Sequence, residues 1–181
     1  MQDLSFLDHR MYLQEAKVKS FKTFVEENAR SRKYVAVIYD DETQTKLREW
    51  CIENGFDLTK SYNEADQDPS EFEFHSTVVY SHNEVSMKNE VIPLTHGEAF
   101  PVKFKLLGEN NDIPVLLVSS PDLNDIRDEY EQQGLQDKWP EFLPHISLSY
   151  VRKDYDLKGL KLPEFRMKFG ELKIEDIDED V

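Results

Sequence analysis

The chain has 181 residues, 39% of them hydrophobic and 12% aromatic, with a formal net charge of −15. That length and apolar content allow one domain, or two small lobes packed intimately around a real core. The charge excludes broad binding to duplex DNA or to an anionic membrane, both of which need a basic face, but leaves room for a small anionic ligand in a local basic pocket.

A single cysteine, Cys51, excludes an internal disulfide framework and any multi-thiolate metal site. It falls in a predicted helix, where a small buried apolar residue fits. No apolar run is long enough to span a bilayer, and the segment from Met1 to Arg30 is charged throughout, unlike a signal peptide. The expectation is a soluble cytoplasmic protein with no membrane partner.

Residues 1–32 form a predicted N-terminal arm, helical near 14–29, where Phe21, Phe24, Val25 and Asn28 have helical spacing. Its expected role is packing on the domain or on a partner. The segment from Lys33 to Asp40 is a buried strand. Asp40 or Asp41 then caps a helix that runs from Thr43 to Asn54 and ends at Gly55. A polar loop from Asp57 to Ser70 leads to a strand over 71–81, and 82–94 reads as a connection. Ala99 to Leu107 alternates as a half-exposed strand. The turn at 108–112 makes Pro114 to Ser120 its antiparallel partner. Ser120 or Asp122 caps a helix over 123–133, with Leu123, Ile126 and Tyr130 on one stripe. A loop through Trp139-Pro140 reaches a strand over 144–151, and 165–177 supplies one or two final strands. Residues 175–180 are an acidic, solvated tail.

Two stretches share a form. His145-Ile146-Ser147-Leu148-Ser149-Tyr150 alternates, so His145, Ser147 and Ser149 share one face of a strand. His75-Ser76-Thr77-Val78-Val79-Tyr80 likewise sets a histidine two places before a hydroxyl residue. Each closes a strand–helix–strand unit: 34–39, 43–54 and 71–81 in one, 114–120, 123–133 and 144–151 in the other. Two such units facing each other would bring both histidines into one cleft. The predicted fold is therefore α+β: two pseudo-symmetric lobes of mainly antiparallel strands, helices outside and a cleft between, over residues 33–181.

The chemistry suits a phosphate. A strand holds His and Thr or Ser on one face about 6–7 Å apart. The hydroxyl donates to a phosphate oxygen, and the imidazole moves a proton near neutral pH. Two such pairs supply a base for the nucleophile and an acid for the leaving oxygen, with no call on a metal or other cofactor. A zinc site from His75, His82 and His96 has no standard spacing. There is no Walker loop, nucleophile elbow or Rossmann glycine run.

These paired motifs are similar to those of the two-histidine phosphoesterase superfamily, which includes RNA-processing 2′,3′-cyclic phosphodiesterases. Their flanks, from Phe74 to Ser81 and from Pro140 to Tyr150, together with Tyr34-Val35-Ala36, resemble the viral anti-CBASS nucleases. Those phage enzymes degrade the cyclic oligonucleotides that bacterial CBASS immunity uses as alarm signals. The resemblance covers roughly residues 33–175. It implies that His75, Thr77, His145 and Ser147 are catalytic, with Ser147 standing where many relatives have threonine. It further implies a substrate-binding set: Tyr34 against a base, Trp139 stacking from its loop, and Glu171 at a base edge. The plain alternatives are a core tyrosine, a packing tryptophan and a surface carboxylate. Lys33, Lys103, Lys138 and Arg152 are candidates for local positive charge. The implied activity is metal-independent hydrolysis of 3′–5′ linkages in cyclic di- or trinucleotides, in the host cytoplasm if the protein is viral. The rivals are a 2′,3′-cyclic phosphodiesterase acting on RNA ends, a non-catalytic sponge for cyclic nucleotides, and a structural phage protein. Base preference, ring size, oligomeric state and the assignment of base and acid stay open at this point.

Overall fold

The structure, a computed structural model, describes residues 30–177. The predicted helix near 14–29, His9 and the end of the acidic tail lie outside the described residues. Strand β1 (Ser31–Tyr39) leads through the N-cap Asp40 into helix α1 (Asp41–Glu53). The Asp40 carboxylate accepts from the Thr43 N–H, so of the two capping candidates Asp40 does the capping. A single 3₁₀ turn, Pro69–Glu71, precedes β2 (His75–Val85). Then come β3 (Glu90–Pro93), β4 (Glu98–Leu107), β5 (Ile113–Ser119), α2 (Pro121–Gln132), β6 (His145–Ser147) and β7 (Met167–Asp176). Ser120 caps α2 by accepting from the Leu123 N–H, while Asp122 instead accepts from the Glu98 N–H.

Every strand pairing among the described residues is antiparallel. The order is β2-β1-β7-β4-β5-β6, with β3 on the far side of β7. Both strand–helix–strand units are present, and in each the two strands are hydrogen-bonded neighbours: β1 with β2, β5 with β6. The α+β architecture of two related halves is as the sequence predicts. β7 joins them, pairing with β1 along most of its length and with Glu98 and Ala99 of β4 at its start.

One core serves both halves. Val35, Val37 and Tyr39 of β1, Leu47 and Cys51 of α1, Leu116 and Val118 of β5, Leu123 and Tyr130 of α2, and Leu172 and Ile174 of β7 belong to a single buried cluster. Alternation assigns the opposite face of the sheet to Tyr34, Ala36 and Ile38 and, beside them, to Glu171, Lys173 and Glu175. This is the face of the histidines. Burial also pushes the Cys51 thiol far above its ordinary range, as expected of an inert core residue.

Several boundaries differ from the sequence reading. The His75 strand starts at His75 because Asp68 and Pro69 set a 3₁₀ turn before it. It then continues through His82 to Val85, and β3 adds a further short strand, so 82–94 is not merely a connection. β6 stops at Ser147, well short of residue 151. The cause lies at Ser149, which is fully buried: its hydroxyl donates to the Asp57 carbonyl and accepts from the Val151 N–H and the Tyr155 hydroxyl. Those bonds turn the chain away from the ladder, so Ser149 does not share the open face with His145 and Ser147.

Candidate active site

The two motifs meet at their backbones. Ser76, the buried residue between His75 and Thr77, donates its hydroxyl proton to the His145 carbonyl at 2.9 Å. With that proton committed, the bond of 2.7 Å between Ser76 and Tyr39 has the Tyr39 phenol as donor. The chain Tyr39 to Ser76 to His145 thus fixes one motif against the other from beneath.

Above this staple the imidazoles are held alike. His75 Nδ1 lies 3.2 Å from the Glu73 carbonyl and His145 Nδ1 lies 2.7 Å from the Leu143 carbonyl. A carbonyl only accepts, so each Nδ1 carries a proton and each neutral ring leaves Nε2 as a free base. The same tautomer is selected twice, by the backbone two residues upstream of each histidine. Both rings are half-buried, and burial lowers both from the ordinary histidine value. His75 is lowered further by the positive charges of His145 and Lys173, so the two rings are within electrostatic reach of each other.

The hydroxyls are matched as well. Thr77 Oγ1 lies 3.1 Å from the Tyr34 phenol. Ser147 interacts with the phenol of Tyr150, easing the rise that burial imposes on it. A register shift between the pairs Val35–Val79 and Ala36–Thr77 marks a bulge at Val78. The extra residue lets Val78 and Val79 both enter the core and returns Tyr80 to the open face. Tyr34 then packs edge-on against both His75 and Tyr80, each at 6.3 Å between ring centres.

The remaining candidates sort by position. Tyr34 is half-buried on the open face beside His75 and Thr77 and outside the core cluster. Trp139 is 52% exposed and leans on Tyr80 at 5.6 Å. Its loop is fixed by backbone bonds from Lys138 N to the Tyr80 carbonyl and from His82 N to the Gln136 carbonyl. Buried Arg127 supports the same loop through Asp137 at 2.5 Å and stacks over Phe142. Glu171 pairs with Ile38, the register partner of His75, and lines a groove with Arg48, Phe72 and Glu73.

Two of the expected cations do other work. Lys33 is 2% exposed and bound to Asp176 and Asn89, as a buried ammonium must be to offset its desolvation. Arg152 pairs with Glu64 and Asp112. Lys138 lies over the Tyr80 and Trp139 rings, 5.7 and 5.4 Å from their centres. Lys103 pairs with Leu117, the register partner of His145, and so lies on the open face. His75, His82 and His96 form no metal-binding cluster. His82 instead sits in β2, its Nδ1 donating to the Asp137 carbonyl.

Sequence reasoning missed Lys173. It lies across Ala36 from Thr77, and the methyl side chain of Ala36 leaves room between them. The alternation Glu171, Lys173, Glu175 opposite a strand already read as buried was the available signal.

A crystal structure of E. coli LigT complexed with 3′-AMP aligns at 14% identity, covering 81% of this chain and 87% of that one, with a TM-score of 0.41. No curated protein matches the chain. The family described as anti-CBASS protein Acb1 matches residues 31–181, the whole region that carries both histidine motifs, and the chain belongs to that family.

Proposed function

We propose that the protein is a metal-independent phosphodiesterase that hydrolyses 3′–5′ linkages of cyclic di- or trinucleotides and so silences CBASS signalling in the host cytoplasm. One observation supports this reading: two motifs tied together through Ser76 and the His145 carbonyl, each with an imidazole held through Nδ1 by the carbonyl two residues upstream and each with a hydroxyl two residues on. In the first step Nε2 of one histidine takes the proton of a ribose 2′-hydroxyl. O2′ attacks the phosphorus in line, and the 5′-oxygen leaves with a proton from the other histidine. Water then opens the resulting 2′,3′-cyclic phosphate with the two roles exchanged. Thr77 and Ser147 donate to the non-bridging oxygens as their charge grows. Burial disfavours the protonated form of both rings, so a neutral imidazole with a basic Nε2 is at hand on either side for the first step.

Pure protein incubated in EDTA with a panel of cyclic nucleotides tests this. Cleavage of cyclic dinucleotides or trinucleotides is expected, and none of a 2′-deoxy analogue. A strict metal requirement, or equal cleavage of the deoxy compound, overturns the mechanism. Preference for 2′,3′-cyclic RNA ends moves the substrate class to the rival phosphodiesterase, and recovery of intact bound ligand identifies a sponge.

The pH profile follows from the same pair. The working form carries one proton between two rings. Burial disfavours the protonated rings, so the acid is lost as pH rises through a value below the ordinary 6.5. At still lower pH the second proton arrives and the base is lost. A bell-shaped kcat/KM with its maximum on the acid side of about 6.5 is expected. An optimum above about 7.5 would contradict burial as the controlling influence on these rings.

A further inference from the structure

Each half carries an insertion between its helix and its histidine strand, residues 54–74 in the first and 133–144 in the second. Each insertion docks on the other half. The second bonds to β2 at Tyr80 and His82 and presents Trp139 beside Tyr80. The first does the reciprocal thing. Its Asp57 carbonyl accepts from Ser149, its Glu64 pairs with Arg152, and Tyr62 meets Tyr150 edge-on at 6.1 Å. Tyr150 follows Ser147 by three residues and stacks on Phe72 of the same insertion, and Tyr80 packs on Tyr34, whose phenol lies 3.1 Å from Thr77 Oγ1.

Tyr62 is 68% exposed, the most exposed large hydrophobic side chain among the described residues. Nothing covers it, yet its loop is built rigidly. Lys60 and Asp66 form a β-bridge and an ion pair at 2.6 Å. The Gln67 amide donates to the Leu58 and Lys60 carbonyls, and the Asp57 carboxylate accepts from the N–H and hydroxyl of Thr59. Ser61 N and Ala65 O close the tip at 2.9 Å. A stapled hairpin that holds an aromatic ring in water beside Tyr150, three residues after Ser147, spends stability for no folding gain. An aromatic face prepared in this way fits a nucleobase, which every base can stack on whatever its edge.

We propose that Tyr62 is a second base-stacking platform, opposite Trp139, so that the site grips the bases on both sides of the scissile phosphate. This rests on the phosphodiesterase reading above and deepens it. The ligand class is one with two bases flanking a phosphodiester, as in a ring of two or three nucleotides, rather than a single nucleoside bearing a cyclic phosphate. The crosswise docking of the insertions puts each jaw on the far half, so one ligand bridges both.

The test uses binding, in full-length protein carrying His75→Ala and His145→Ala so that nothing is cleaved. The probes are cyclic diadenylate, cyclic diguanylate and cyclic GMP–AMP as two-base ligands and adenosine 3′-monophosphate as a one-base ligand. For the tightest cyclic dinucleotide, Tyr62→Ala and Trp139→Ala are each expected to raise Kd about 5- to 150-fold, with effects that add. Tyr62→Phe is expected to stay within about twofold, since the ring face survives. Adenosine 3′-monophosphate has one base to place, so only one of the two alanine variants weakens it. Cyclic dinucleotide binding unchanged in Tyr62→Ala overturns the platform while leaving the phosphodiesterase reading intact. Both variants weakening the one-base ligand means a single base is sandwiched, which overturns the two-base grip. If none of these cyclic dinucleotides binds and the parent protein cleaves no cyclic trinucleotide, the reading itself fails and the platform falls with it.

Discussion

His75→Ala and His145→Ala are each expected to lower kcat by about 10²- to 10⁴-fold, the usual range for loss of a positioned acid or base. The two residues share one proton inventory, so the double variant should be little slower than the worse single one. The staple between the motifs runs through Ser76 and the His145 carbonyl, neither of which alanine removes. The fold is therefore expected to persist, with a thermal midpoint within a few degrees of the parent. His→Asn is the sharper control at both positions. Asparagine keeps a donor near the Nδ1 position for the Glu73 or Leu143 carbonyl but has nothing at Nε2. It should be as inactive as alanine. Cleavage above about a tenth of the parental rate in either single alanine variant would remove acid–base catalysis by this pair.

Much of this site is legible in the chain because a strand has a period of two. His75 with Thr77 and His145 with Ser147 declare a shared face, and the repeat of the strand–helix–strand order declares that the faces meet. The capping residues Asp40 and Ser120 are legible for the same local reason: their side chains act within three residues. What was not legible depends on distant partners. Ser149 continues the alternation perfectly, yet Asp57, ninety-two residues away, takes its hydroxyl and ends the strand. Lys33 reads as a free cation, and only Asp176 and Asn89 arriving from β7 and the β2–β3 connection make it a buried structural one. Lys173 joins the site through Ala36, a residue with no chemistry of its own whose small size matters only once β7 and β2 flank it. Tyr62 lies in a polar stretch with no period at all. Its position follows from the loop's bonds to Ser149 and Arg152, which no local pattern encodes.

The second large effect concerns the hydroxyls, and there the neighbours decide what each substitution means. For Thr77 to donate to a phosphate oxygen, its own oxygen must accept from the Tyr34 phenol, 3.1 Å away. Thr77→Val keeps the shape and removes the donor, so kcat should fall about 10²- to 10³-fold, as for loss of one preorganised donor to a developing charge. It also strands the Tyr34 hydroxyl, which should cost about 1–3 kcal/mol of stability. Tyr34→Phe leaves the Thr77 proton in place but unsteered, and is expected to slow the reaction only about 2- to 12-fold, the worth of one net hydrogen bond. The double variant separates the two roles. Removing the stranded phenol should restore most of the stability lost in Thr77→Val, while the rate stays at the Thr77→Val level. Thr77→Ser should recover the rate, and Ser147→Ala should match Thr77→Val on the other half of the cleft. Single-turnover rates with thermal midpoints on the same samples give both readings. A Thr77→Val variant that cuts at the parental rate would mean that the hydroxyl faces Tyr34 for packing alone, and that the phosphate's charge is met elsewhere, with Lys173, across Ala36 from Thr77, the cation to test next.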